Sequence, residues 1–403
     1  LITKWLRDYT MLALRIDKVI KTRTKDSLLD YYGPPEWAEL VERETVQSGE
    51  QLINDAQHLM NSIDDQGFEP RRVTFLTKQL KALETVCRRL NDEFFTMSDE
   101  VSLLFDIDVN WLPETTFEQA YTMYDEALPG HGSVETRLKH WKEHYQLPTN
   151  KIGLLPELVQ MAVMESRQRM RAYIDLPENE KIEVQTFTDQ PFRALAHYQG
   201  NYHSRILINT SIPFNLADLL YVVCHEGYPG HLAEYVLKEE YLVKKKGYFE
   251  QNVSFLLSPS FVISEGLALL AHELVFPSDE AQNWLSEQIF PRVGIKPDTT
   301  NLLKVQRAND LLMGVRCNAA FMLREGKPEH EIISYLMKYA LLDHQQALFQ
   351  LQSLKRPFCE AYIFTYFYGR QLLQTLLSGP RKHAILGRLL TEQVTPSELL
   401  LIE

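Results

Sequence analysis

The stretch His225-Glu226-Gly227-Tyr228-Pro229-Gly230-His231 decides how this 403-residue chain is read. It sets two imidazoles and a carboxylate close together, at the end of the apolar run Leu219-Leu220-Tyr221-Val222-Val223-Cys224. Imidazole nitrogens and a carboxylate suit Zn²⁺, and a further carboxylate can serve as general base toward water. In the helical pattern His-Glu-x-x-His the two histidines lie about 40° apart around the helix. Here the spacing is longer, and a straight helix would aim the rings roughly 240° apart. Pro229 has no N–H to offer the carbonyl of His225, and Gly230 tolerates backbone angles that other residues avoid. A break between the histidines is therefore expected to turn both rings toward one point.

A second segment supplies a third ligand. Ser258-Pro259-Ser260-Phe261-Val262-Ile263-Ser264-Glu265 and the apolar residues after it read as a helix, with Ser258 as N-cap and Pro259 at the first helical position. Glu265 sits inside that apolar run, where a carboxylate is costly unless paired or metal-bound. The plain alternative is a solvent-facing acid on an amphipathic helix. His272, seven residues on, shares the face of Glu265, and a surface histidine is the default reading for it. Glu234 lies one turn after His231 and can orient that ring, or replace Glu265 as ligand.

Composition bounds the rest. Hydrophobic content of 45% and charged content of 24% describe an ordinary globular chain. The net charge of −12 and pI near 5.6 give no support for nucleic-acid binding. The basic run Lys244-Lys245-Lys246 before Gly247 reads as a helix C-terminus. Four cysteines (Cys87, Cys224, Cys317, Cys359) include no Cys-x-x-Cys pair, so free thiols in a cytoplasmic location are expected. No apolar run reaches membrane-span length, and no membrane partner is expected.

Residues 1–100 read as a helical region, and 101–403 as a catalytic region continuous with it. Helical periodicity breaks at Phe105–Pro113 and Leu128–Gly130, and returns from Pro156 to Tyr173. The segments 181–187 and 205–209 alternate as strands. The motif helix is expected to begin at Asn215, with Asp218 completing a capping-box-like pair. Beyond residue 278 helices run to the end. The fold class is mainly α with a small β-sheet.

These residues resemble the domain of unknown function 885 family, bacterial proteins that look like zinc metallopeptidases. The family motif reads His-Glu-x-x-Pro-Gly-His, and a later Glu-Gly pair opens a helix; this chain has His225-Glu226, Pro229-Gly230-His231 and Ser264-Glu265-Gly266 in that order. Leu128-Pro129-Gly130, Ser204-Arg205-Ile206 with Asn209-Thr210, and Tyr366-Phe367-Tyr368-Gly369 extend the similarity. Many members carry a second His directly after the motif, where this chain has Leu232. The resemblance implies a zincin-like core embedded in a large helical domain. It implies Zn²⁺ on His225, His231 and Glu265, Glu226 as base, and Tyr366 as donor to the oxyanion. Zincins commonly pair an extended peptide with an edge strand, and 204–210, which includes Asn209, is the candidate, with an interior strand of no ligand role as its alternative.

The function expected is a zinc-dependent hydrolase, foremost a metallopeptidase, acting on a peptide or small amide. Tyr368 is an alternative to Tyr366, and Arg370 is a candidate for a substrate carboxylate with a solvent-facing role as its default. Two competitors stand beside this reading. One is an amidase or esterase acting on a small non-peptide compound. The other is a non-catalytic protein whose metal is structural, although such sites are normally closed by four ligands and rich in thiolate. Oligomeric state is not legible.

Overall fold

Apolar residues spaced three and four apart fold most of the chain into helices, and the computed structural model describes residues 2–189 and 192–400. The fold is mainly α with two small sheets. The N-terminal region is built from Lys4–Thr24, Pro35–Arg43, Gly49–Asn61, Pro70–Leu90 and Met97–Phe105. Its opening helix is capped by Thr3, whose hydroxyl accepts from Leu6 N. The break foreseen near Phe105 is real, because the next helix starts at Thr115. One cluster of buried apolar side chains runs from Trp5 to Leu399.

The strands are β1 (Leu29–Tyr31), β2 (Lys181–Phe187), β3 (Ala194–Tyr198), β4 (His203–Asn209) and β5 (Val253–Phe255). β1 pairs antiparallel with β5, setting Asp30 opposite Ser254, so the N-terminal region is stitched to the segment before the Glu265 helix. The other sheet has the order β2-β4-β3, with β2 parallel and β3 antiparallel to β4. The expected edge strand at 204–210 is therefore the central one. Its inward residues Ile206 and Ile208 are fully buried, and alternation alone does not distinguish a middle strand from an edge. The edges belong to β2 and β3, and β3 is the one that borders the cleft.

Asn215 caps a single 3₁₀ turn, its Oδ1 accepting from Ala217 N, and the α-helix proper is Leu219–Glu226. Asp218 pairs with Arg193 at 2.9 Å, so it closes no capping box. Ser258 precedes Pro259 as expected, but its side chain makes no capping bond. The lysine run follows a π-helical turn, Glu239–Lys244, where Lys244 and Lys245 pair with Glu239 and Glu240.

Candidate metal centre

Helix Leu219–Glu226 stops one residue after His225, and a second helix, His231–Lys238, begins at the other histidine. The Tyr228–Pro229 peptide between them is cis. Gly230 N donates to Cys224 O at 3.0 Å, folding the connection back on the first helix. A Cβ at Gly230 would stand 1.9 Å from the carbonyl oxygen of His225, so only glycine fits this return. Tyr228 is fully buried and its hydroxyl donates to Glu180, which Arg167 pairs in turn. The bend turns the two rings together, with centroids 4.8 Å apart and planes perpendicular.

Helix Pro259–Val275 brings Glu265 to them. Its Oε2 lies 3.4 Å from His225 Nε2 and 3.6 Å from His231 Nε2. Donor atoms at ~2.0–2.1 Å from one tetrahedral Zn²⁺ stand roughly 3.3 Å apart, so the spacing fits that ion. The three ligand atoms all lie within 4.8 Å of one another, and no other His, Cys, Asp or Glu among the described residues joins the group. Glu265 Oε2 is buried without a hydrogen-bond donor, a cost that a cation would remove. Burial works against charge on both partners, yet Glu265 holds His231 above the ordinary imidazole range, and the histidines hold Glu265 well below the carboxylate range. A site that retains a proton this firmly is electrostatically suited to a divalent cation.

The supports were partly foreseen. His231 Nδ1 contacts Ser264 Oγ at 2.9 Å, and Ser264 donates to Glu234 Oε2 at 2.6 Å. Glu234 thus reaches the ring through Ser264 and lies outside the group of three possible ligands. Tyr362, absent from the sequence reading, donates to Glu265 Oε1 at 2.5 Å. It comes from the C-terminal part of the chain, 97 residues away. Helix Phe364–Ser378 follows it and packs against the Glu265 helix with no side chain between them. A Cβ at Gly266 would lie 2.3 Å from Gly369 O, and one at Gly369 2.3 Å from Val262 O. That contact sets Tyr366 beside the site.

The cluster opens into a cleft of about 460 Å³, whose lining includes Glu226, Tyr362, Tyr366, β3 and, from the N-terminal region, Asp26 and Asp30. Glu226 Oε2 accepts from Ala196 N at 2.8 Å. Arg193 and Gln199 bond β4 through Asn209 N and His203 O. By antiparallel alternation the peptide groups of Ala194 and Ala196 point the other way, into the cleft. Behind Tyr366 lies Arg316, with no carboxylate within ion-pair distance among the described residues and an unpartnered Nε. Burial raises the Tyr366 hydroxyl well above the phenol range, Glu265 and Glu226 add to this, and Arg316 pulls the other way.

Three expected contacts fall elsewhere. Asn209 is fully buried at the end of β4 and donates to Phe192 O, so it does not line the cleft. Tyr368 bonds the backbone of Asn110 through its hydroxyl. Arg370 is buried and pairs with Asp310 at 2.7 Å and Glu273 at 3.0 Å, which leaves it neither solvent-facing nor available to a substrate. His272 is buried against Tyr221 as well, correcting the surface assignment.

No family model and no curated protein matches this chain. Solved structures share the fold, among them two candidate lipoproteins. A candidate lipoprotein from Colwellia psychrerythraea is similar at 14% identity and TM-score 0.55, over 91% of this chain and 68% of that one. A candidate lipoprotein of unknown function from Shewanella oneidensis is similar at 10% identity and TM-score 0.51, over 91% and 76%. Among the described residues no single helix is long and apolar enough to cross a membrane.

Proposed function

We propose that this chain is a zinc-dependent hydrolase of the domain of unknown function 885 family, acting as a metallopeptidase. The observation that carries the reading is the convergence of His225, His231 and Glu265 at the wall of a cleft, with a second carboxylate, Glu226, anchored beside them. Zn²⁺ bound there supplies a Lewis acid that acidifies water and polarises a carbonyl. Glu226, oriented by the Ala196 N–H, takes the proton of the attacking water and hands it to the leaving nitrogen as the C–N bond breaks. The products are an acid and an amine, the atoms of one water added across the bond. Tyr366 donates to the oxygen on which charge develops. Tyr362 holds Glu265 in place. The peptide groups of Ala194 and the carbonyl of Ala196, outward on β3, offer an extended substrate main-chain pairing, while the Ala196 N–H stays with Glu226.

A purely structural metal fits less well, since a closed site takes four protein ligands, commonly cysteines; three converge here, none of them Cys. The compartment we favour is the cytoplasm, because Cys87, Cys224, Cys317 and Cys359 are all unpaired. The lipoprotein description of the fold neighbours points instead to a membrane-attached protein, and recovery in the soluble fraction of the native cell decides between them.

The test is metal analysis with turnover of a mixed peptide library, cut sites read by mass spectrometry. Glu226→Gln is expected to keep about one zinc per chain and to lose turnover by roughly 10²–10⁴-fold. Glu265→Ala is expected to lose the metal itself. Full zinc occupancy in Glu265→Ala, or undiminished turnover in Glu226→Gln, overturns the assignment.

A further inference from the structure

Four carboxylates line the cleft, and three have partners. Asp26 pairs with Arg356 at 2.8 Å. Glu226 accepts from Ala196 N, and Glu265 sits between the two histidines and Tyr362. Asp30 is different. Among the described residues no lysine, arginine or histidine lies within ion-pair distance of it, and its one side-chain contact is a long 3.5 Å approach of the Tyr235 hydroxyl to Oδ2. Its side chain is open to the water of the cleft yet walled by protein. That enclosure pushes its carboxyl up, with His197 and Tyr235 acting against it.

Its place along the cleft gives the vacancy a meaning. Tyr235 stands one turn after His231 and stacks on Tyr198, the last residue of β3, at 5.6 Å between ring centroids. Tyr32 packs edge-on to both. Tyr235 lines the main cleft and also a separate small cavity, whose walls include Tyr32, Tyr198, Ser254 and Glu234. Asp30, approached by Tyr235, therefore sits toward the C-terminal end of β3. A peptide lying antiparallel on β3, the better-bonded orientation, points its amino terminus toward that end.

We infer that Asp30 receives the free α-ammonium of the substrate, so that the enzyme reads peptides from their amino end. This rests on the peptidase reading above. The charge pair forms in a partly enclosed site, where a hydrogen bond to a charged group is worth roughly tenfold to hundredfold in binding.

The experiment uses the full-length, zinc-loaded protein and two hexapeptides identical except for N-terminal acetylation. Products should shorten from the amino end, and acetylation should lower kcat/KM by roughly tenfold or more. Asp30→Asn should bring the free-amine peptide down to the acetylated one, mainly through KM, with zinc content unchanged, while Asp30→Glu keeps part of the preference. Equal cleavage of both peptides by the wild type, cuts at internal bonds or the carboxyl end, or unchanged discrimination in a folded Asp30→Asn each overturn the inference and leave the hydrolase standing. If the zinc-loaded wild type cuts neither these peptides nor any in the library, both readings fall.

Discussion

The helices Leu219–Glu226 and Pro259–Val275 carry two buried polar clusters, about one to two turns apart. In one, His225 and Glu265 meet His231, and Glu265 Oε2 and His225 Nδ1 are buried with no hydrogen-bond partner. In the other, Tyr221 and Glu273 meet Asp310 and Arg370 from two further helices. There Arg370 bridges Asp310 and Glu273, Arg307 answers Glu273 at 2.6 Å, and Tyr221 donates to Asp310 at 3.0 Å. Both clusters hold charge away from water, but only the second answers every charge within the protein. A saturated network locks helices together; an unsaturated one leaves valence for something the chain does not supply. The closed cluster also ties the helices bearing His225, Glu265 and Tyr366 to one another.

The contrast can be broken from either side. Arg370→Met should leave Asp310 buried beside Glu273 without a cation, costing about 3–5 kcal/mol in denaturant unfolding. Zinc per folded chain should stay at one; a loss of metal at unchanged stability would mean that Arg370 belongs to the open cluster. Tyr366→Phe should lower kcat by roughly 10²-fold with little change in KM, whereas a pure rise in KM would make Tyr366 a binding contact. Ser264→Ala removes the link from Glu234 to His231 and should weaken zinc affinity by about tenfold to hundredfold in competition with a chelator. Unaltered affinity would reduce Ser264 to packing.

The smallest effect is a pH dependence from the closed side. Burial, reinforced by Arg370 and Arg307 against Glu273, pulls His272 down from 6.5 to about 4. Below the unfolded value the unfolded chain binds a proton that the folded chain refuses. The neutral His272 therefore stabilises the fold fully above pH 6.5 and loses that contribution as pH falls toward about 4. The His272→Gln variant should show a shallower fall in Tm between pH 7 and pH 5 than the parent, by the equivalent of at most about 2 kcal/mol. Parallel curves would show that His272 takes up its proton freely.

What the sequence disclosed follows contact range. His225, Glu226 and His231 lie in one short segment, and the proline and glycine that fold it are visible beside them. Glu265 was legible as an acid in an apolar helix. Tyr362, Arg316 and Asp30 were not, because only tertiary packing brings them to the cleft, and each in isolation is an unremarked residue on an ordinary element. Arg370 and Asn209 failed as substrate contacts for the converse reason: a polar residue near a motif reads as available until its buried partner is known. The misplaced edge strand has the same root. β3 and β4 both alternate, and which of them lies outermost is decided by β2 crossing to the far side of β4.

The pairing of β1 with β5 sets the order in which the cleft is assembled during synthesis. A ribosome releasing this polypeptide extrudes Asp30 early, yet the strand that fixes it emerges more than two hundred residues later, and Tyr362 later still. A nascent or truncated fragment carries both histidines without the tyrosine-braced acid or the far wall of the pocket. The three possible ligands and the walls of their cleft are thereby assembled only after Tyr362 has been made.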